Sequence, residues 1–264
     1  MRSAISVFII CYNEVERLGR VLDSVKELTD DLVVVDSGSD DGSVDLARRY
    51  TDKVYHRDWT GFGAQKVYGE SLCENNWVLN LDADEVVSPA LFSEIRDLVA
   101  ADPENQQCLD GFEIAVTMMR GLDDFNTPSR FAPTNYTGRF YDKRYAGFSD
   151  SSVHDKLQSK KSGSTRFPRL KNRIYHYSIK SYHHMWNKIG YYSELQASDW
   201  VAKKRPAQIW KVVYEVPLFF IKHYFIRRLF VLGSRGFVIA LCLASGRALR
   251  RIIVHEKLTG RNQG

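Results

Sequence analysis

Cysteine is scarce in this chain of 264 residues: there are four, and Cys11, Cys73, Cys108 and Cys242 show no close spacing of the kind that frames disulfides or a zinc site. Reduced thiols in a cytoplasmic protein are the expectation. No Gly-x-Gly-x-x-Gly turn follows the first apolar run and no Gly-Lys-Ser/Thr loop occurs, which removes the main support for a dinucleotide-binding dehydrogenase or a P-loop nucleotidase. Repeats and low-complexity linkers are absent too. The N-terminus lacks a charged leader, a long apolar stretch and a small-residue cleavage site in sequence, so no secretion signal is expected. The longest uncharged run in the basic half, Gly236 to Gly246, has 11 residues. About 20 are needed to cross a bilayer, so no spanning helix is expected. Acidic residues nearly disappear from the second half. Residues 151–264 hold 5 Asp and Glu against 22 Lys and Arg, a net +17, whereas residues 1–150 hold 27 against 15, a net −12.

What is present in the first half is a regular alternation. Ile5 to Ile10 is continuously apolar, as in a strand covered on both faces. Asn13 follows as a helix cap, and Leu18, Val21, Leu22, Val25 and Leu28 recur at helical steps. A second apolar run, Leu32 to Val35, ends in Asp36 and the turn-rich Ser37-Gly38-Ser39-Asp40-Asp41-Gly42. A helix near Ser43, a short strand at Val54-Tyr55, a helix over Gly63–Cys73 and a strand over Trp77–Leu81 come next. Ser88-Pro89 then caps and opens another helix. Strands alternating with helices predict an α/β fold with a doubly wound, mostly parallel sheet.

The strand ends carry the chemistry. Asn13 and Glu14, then Asp36, then Asp82 and Asp84 fall where strands one, two and four finish, at the carboxyl edge where open α/β sheets bind ligands. Two aspartates one residue apart suit a hard divalent cation, Mg²⁺ or Mn²⁺, shared with the oxygens of a diphosphate. A nucleotide held through base and ribose by polar side chains, with its diphosphate on the metal, fits that edge.

Three segments, Ile5-Ser6-Val7-Phe8-Ile9-Ile10-Cys11-Tyr12-Asn13-Glu14, Val33-Val34-Val35-Asp36-Ser37-Gly38-Ser39-Asp40-Asp41-Gly42-Ser43 and Asn80-Leu81-Asp82-Ala83-Asp84-Glu85, resemble the nucleotide-sugar motifs of family 2 inverting glycosyltransferases. The resemblance covers residues 1 to about 100 and implies the type A glycosyltransferase fold, Rossmann-like with a mostly parallel sheet. It also implies that Tyr12, Asn13, Glu14 and Asp36 bind the nucleotide sugar, with the last three around base and ribose. Asp82 and Asp84 would hold metal and diphosphate. Trp59-Thr60-Gly61-Phe62-Gly63-Ala64-Gln65-Lys66 is similar to a segment of one branch, the bacterial enzymes that add glucose to the inner core of lipopolysaccharide or lipooligosaccharide, and Lys66 would bring a cation to the donor phosphates. Arg139-Phe140-Tyr141-Asp142 and Ser152-Val153-His154-Asp155 look like further blocks of that branch, with Phe140 in place of leucine and Asp155 in place of glutamate. By this resemblance Asp155 is the catalytic base, with Asp123, Asp124 and Asp142 as competitors. His154 is a third metal ligand or orients the base, Arg139 binds a phosphate, and His176 faces the diphosphate. His183-His184 is read as surface decoration.

Residues 1–180 are thus expected to form the catalytic domain, with 1–100 as the nucleotide-sugar half and 101–180 as the acceptor half. Residues 181–264 are expected to form a basic amphipathic helical region. Its aromatic and aliphatic clusters punctuated by Lys and Arg suit an anionic membrane surface, or contacts with the catalytic domain or a second copy of the chain, a homo-oligomer. No nucleic-acid module accompanies the basic charge. The function expected is transfer of a hexose from a nucleotide sugar (UDP-glucose by preference) to a lipid-linked saccharide, by a peripheral protein on the cytoplasmic face of the inner membrane. The alternatives are transfer to a polyprenyl phosphate and nucleotide-sugar binding without turnover.

Overall fold

The computed structural model describes residues 4–100, 110–119, 128, 131–149 and 156–260. These divide into two compact units. One comprises Met1–Met118 and Thr134–Tyr177, the other Met119–Pro133 and Ser178–Gly264.

The first unit is an α/β layer structure. In chain order it runs β1 (Ile5–Cys11), α1 (Val15–Val25), β2 (Asp31–Asp36), α2 (Ser43–Ala47), β3 (Val54–His56), α3 (Phe62–Leu72), β4 (Trp77–Asp82), β5 (Glu85–Val87), α4 (Pro89–Ala100), β6 (Gly111–Met118), β7 (Thr134–Asp142), β8 (Ala146–Phe148), β9 (Leu157–Ser159) and β10 (Arg169–His176). Eight strands share one sheet in the order β3-β2-β1-β4-β7-β6-β10-β5, and β8 pairs with β9 separately. The first four strands are parallel, as the apolar runs require. Every residue of β1 and β2 is buried, because helices cover both faces. The sheet is mostly parallel, as expected, and mixed beyond β4: β10 runs parallel to β6, while β7 enters antiparallel to both β4 and β6, and β5 antiparallel to β10.

One expected cap is present and one is not. Ser88 Oγ accepts from the Leu91 amide at 3.2 Å, which caps α4 ahead of Pro89 as expected. Asn13 does not cap α1. It adopts a left-handed conformation, φ 53°, and its side-chain oxygen accepts from the Asp40 amide at 3.0 Å. Asp41 instead takes the first amide of α1, that of Val15, at 3.0 Å. Asn13 tolerates this conformation because its short polar side chain bonds to nearby backbone. The thiols of Cys11, Cys73 and Cys242 are free and buried, and burial pushes the first two up to about 12, so they stay protonated; Cys108 lies outside the described residues.

The second unit is helical: α5 (Tyr182–Ala202), a 3₁₀ turn (Ile209–Lys211), α6 (Val212–Ile221), a π turn (Lys222–Ile226), a 3₁₀ turn (Leu229–Leu232) and α7 (Gly233–Gly260). α7 packs against α5 and α6. Gly246 permits the α5 contact, since a Cβ there would sit 2.8 Å from Ile189 Cγ2. The count of uncharged residues understated one segment. Leu229–Gly260 is long and apolar enough to cross a membrane by length and composition, since a lone Arg235 interrupts its apolar part, and 39% of its most apolar 18 residues is buried within the molecule.

Candidate active site

Register decides which side chains meet. In the parallel pairs, Cys11 lies beside Asp36 and Ile10 beside Asp82, so the residues just after β1, β2 and β4 emerge at one edge of the sheet. The antiparallel pair β5 and β10 brings His176 opposite Glu85 at the same edge. A strand change after Asp82 thus returns the chain at Glu85, and the Asp-Ala-Asp-Glu turn sits where four strands end.

The turn is held by cations drawn from far along the chain. Arg139, on β7 and buried, donates to Asn80 Oδ1 at 2.8 Å, Asp82 Oδ2 at 2.8 Å and Glu85 Oε1 at 2.6 Å. Lys66, on α3 and fully buried, places Nζ 3.5 Å from Asp82 Oδ1. Arg17, on α1, donates to Tyr177 O at 2.7 Å and to both oxygens of Glu14, and lies 3.4 Å from Asp84 Oδ2. His176 Nε2 is 3.3 Å from the same Asp84 oxygen.

This arrangement sets protonation. Burial alone would favour neutral carboxyls, but Arg139 and then Lys66 outweigh it at Asp82 and hold its pKa far below the usual range. At Asp84 burial is outweighed by His176 and Arg17, and the value falls to about 2. Glu85 goes the other way: burial, helped by the neighbouring Asp82 charge, exceeds the pull of Arg139 and raises it. His176 is raised because the Asp84 charge and hydrogen bond overcome its burial. Two ionised aspartates, Asp84 buried and Asp82 partly so, therefore stand at a cation-braced edge.

One atom there is not braced by a hydrogen bond. Asp82 Oδ1 is shut from water and accepts none. An ionised oxygen left in that state fits a hard cation, which takes carboxylate oxygens readily. Among the described residues no group of three His, Cys, Asp or Glu side chains converges for a metal. A cation would thus be held by Asp82 and Asp84, with ligand or water oxygens filling the rest of its shell.

The other sequence candidates are placed as follows. Asp36 accepts from the amides of Gly38 and Ser39 at 2.8 and 2.9 Å and from the Ser39 hydroxyl, so its carboxylate shapes the loop that follows β2. Asn13 is tied to that loop through Ser39 and Asp40. Glu14 is paired with Arg17, and Tyr12 is 59% exposed at the edge. Lys66 and Arg139 both stand against the Asp82 carboxylate. Asp142 is brought to the wrong place for a base: it pairs with Trp77, at the opposite end of β4 from Asp82, and its carboxylate binds Arg144 at 2.6 Å. His154, Asp155, Asp123 and Asp124 lie outside the described residues. His183 and His184 begin α5, with the Ser181 hydroxyl accepting from the His184 amide at 3.1 Å as the helix cap.

Sequence reasoning missed Arg17, Asn80 and Glu85. Arg17 had a signal, since it stands four residues before Val21 and eight before Val25, on the inward face of α1, where a charged residue needs a buried partner. Asn80 had one as well, as the polar residue inside the apolar run Trp77 to Leu81.

Known proteins resemble this chain to different extents. The Glycosyl transferase family 2 profile matches residues 6–159. An uncharacterized glycosyltransferase of Rickettsia felis is 37% identical over 259 residues, spanning 96% of this chain and 90% of the relative. The lipopolysaccharide core biosynthesis glycosyltransferase LpsC of Rhizobium meliloti is 28% identical over 248 residues, 90% of this chain and 86% of that protein. Among solved structures, S. aureus TarS 1-349 overlaps 98% of this chain and 92% of its own at 16% identity, with a TM-score of 0.44.

Proposed function

The chain belongs to glycosyl transferase family 2 and adopts the type A glycosyltransferase fold, and from that premise we propose that it transfers a hexose, glucose from UDP-glucose by preference, to a lipid-linked saccharide of the lipopolysaccharide inner-core kind, with inversion. The observation that carries this reading is the buried Asp82 Oδ1, ionised and without a hydrogen bond, beside Asp84 at the edge where β1, β2 and β4 end. The likeness to a core-biosynthesis glycosyltransferase at 28% identity supports the acceptor class.

In this reading Asp82 and Asp84 hold Mg²⁺ or Mn²⁺, which would neutralise charge on the departing nucleoside diphosphate. Lys66 and Arg139 keep both Asp82 oxygens oriented and ionised, and His176 and Arg17 do the same for Asp84. Tyr12 contributes to binding the nucleotide sugar, and Asn13, Glu14 and Asp36 border the base and ribose, Asn13 and Asp36 by shaping the loop after β2. An acceptor hydroxyl attacks the anomeric carbon from the face opposite the diphosphate. The new C–O bond forms as the sugar–phosphate bond breaks, the electron pair leaves with the nucleoside diphosphate, and the hydroxyl proton goes to a carboxylate. Asp155 is the proposed base, with His154 beside it as a third ligand or an orienting group. The second unit, with its excess of basic charge and exposed Trp210, Val213, Phe225 and Ile226, is proposed to keep the enzyme at the cytoplasmic face of an anionic membrane, where a lipid-linked acceptor resides.

The test is nucleoside diphosphate release by purified protein from a panel of UDP, GDP and dTDP sugars, with Mg²⁺ or Mn²⁺, with and without deacylated lipopolysaccharide core. Metal-dependent UDP release from UDP-glucose that the core acceptor stimulates, lost on chelation and at least 100-fold weaker in Asp82→Ala, is the expected outcome, on the order of a transition-state charge contact. Release only when a polyprenyl phosphate is supplied would overturn the acceptor assignment.

A further inference from the structure

The helical unit contains a charge cluster that its own residues do not complete. On α7, Arg247, Arg250 and Arg251 lie within two turns, and the first two, three residues apart, share a face. Arg251 is fully engaged: it donates to Glu215 Oε2 at 2.7 Å, to the other Glu215 oxygen, and to Ala207 O at 2.8 Å. Arg250 is 8% exposed, and only its Nη1 has a partner, Gln196 Oε1 at 3.0 Å; its Nε and Nη2 are buried with none. The Nε of Arg247 is buried and unpartnered as well.

Three guanidinium groups thus face one carboxylate, Glu215. Burial and the charges of Arg247 and Arg251 depress Arg250 to about 10, still cationic at neutral pH. An unmade hydrogen bond from a buried donor is costly, more so when the donor is charged. Aromatic rings cover the guanidinium faces: Phe219 lies 4.6 Å from Arg247 and Trp200 4.8 Å from Arg250. A guanidinium stacked on a ring still presents its N–H bonds in the plane of the fork, the geometry that matches the oxygens of a phosphate. Gln196, which holds Arg250, is exposed, so the cluster lies one side chain below the surface.

We propose that Arg247 and Arg250 form a binding site for a phosphoryl group, which accepts from their unpartnered Nε and Nη2 donors when Gln196 yields. The site belongs to the helical unit and does not depend on the sugar-transfer reading. The phosphoryl group comes from a phospholipid headgroup or from a free phosphate.

The test uses the full chain and no turnover. Thermal unfolding is followed in sodium phosphate and in sodium chloride of equal ionic strength. The wild type is expected to melt higher in phosphate, saturably, while Arg250→Gln and Arg247→Gln raise the half-effective phosphate concentration about tenfold or more. Arg235→Gln, exposed on α7 and 12 residues before Arg247, keeps the wild-type response. In chloride, Arg250→Met should melt no lower than the wild type, because it removes an uncompensated buried charge; an arginine with a purely structural role would lose stability on that change. Sedimentation with phosphatidylcholine vesicles, with and without phosphatidylglycerol, separates the sources. Binding that requires phosphatidylglycerol, is weakened in the two variants and is competed by phosphate assigns the headgroup. Phosphate protection with vesicle binding unchanged in the variants assigns the free anion. Equal melting of the wild type in phosphate and chloride, or a wild-type phosphate response in both variants, overturns the proposal.

Discussion

Replacing Arg139 by methionine is the sharpest test of how the Asp82 edge is held together. The guanidinium joins three acceptors that are near one another only in the folded chain, Asn80, Asp82 and Glu85. Methionine fills similar volume, so the change removes charge and donors more than packing. It leaves Glu85 at 2% exposure without its cation, and Asp82 Oδ2 without its donor. Breaking a buried ion pair from one side costs about 3–5 kcal/mol, and here one cation serves two carboxylates, so we expect at least the lower end of that range. The loss should depend on pH with a definite sign. In the wild type the lowered pKa of Asp82 adds stability that is present above its ordinary value and lost as pH falls; without Arg139 most of that contribution is gone. Glu85, already raised above 4.5, rises further without Arg139, so its stability is kept below that value and lost as pH rises. Both effects make the deficit of Arg139→Met shrink on acidification. The assay is urea unfolding by circular dichroism at several pH values between about 4 and 8, with Glu85→Gln added to the variant to remove one of the stranded charges. Recovery of more than about 1 kcal/mol in the double variant is expected. A deficit below 1 kcal/mol at neutral pH, or no recovery with Glu85→Gln, would refute the view that Arg139 holds the buried Glu85 carboxylate together with the partly buried Asp82.

Two further substitutions probe the scaffold. Asp31 binds Lys53 at 2.6 Å, the Glu74 amide at 2.7 Å and the Ser6 hydroxyl, and these outweigh its burial and lower it from 3.8; Asp31→Asn should cost about 1–3 kcal/mol at pH 7, a deficit that fades as pH falls below about 4, and a pH-independent deficit would contradict the assignment. Gly69 faces the buried Phe8 ring so closely that an added Cβ would lie 2.6 Å from Phe8 Cδ2; Gly69→Ala should destabilise by about 1–3 kcal/mol in the same urea assay despite the better helix propensity of alanine, and a stabilised variant would mean that the ring has room to move.

Much of the edge could be read from local pattern because its makers are local. Continuous apolar runs ending in acids marked β1, β2 and β4, and parallel pairing of such strands brings their ends together whatever else the chain does. The second half offered less. β7 begins with exposed Thr134 and Asn135 and turns buried only from Arg139, and β10 alternates charged and apolar residues, so neither stands out as a strand. Asn13 was read as a cap on residue type, yet loop contacts to Ser39 and Asp40, 26 and 27 residues on, took its polar groups. Asp142 sat in a suggestive motif, and only the antiparallel register with β4 showed that it lies at the far end of the strand.

By itself the sequence determined the parallel core, the acidic strand ends and the division between an acidic first half and a basic second half, since each follows from residue type and short-range spacing. Tertiary structure alone decided which cations serve those acids. Arg139 reaches Asp82 across 57 residues, and Arg17 reaches the Tyr177 carbonyl across 160. Such pairings depend on strand order and register, which set distances that no local period encodes.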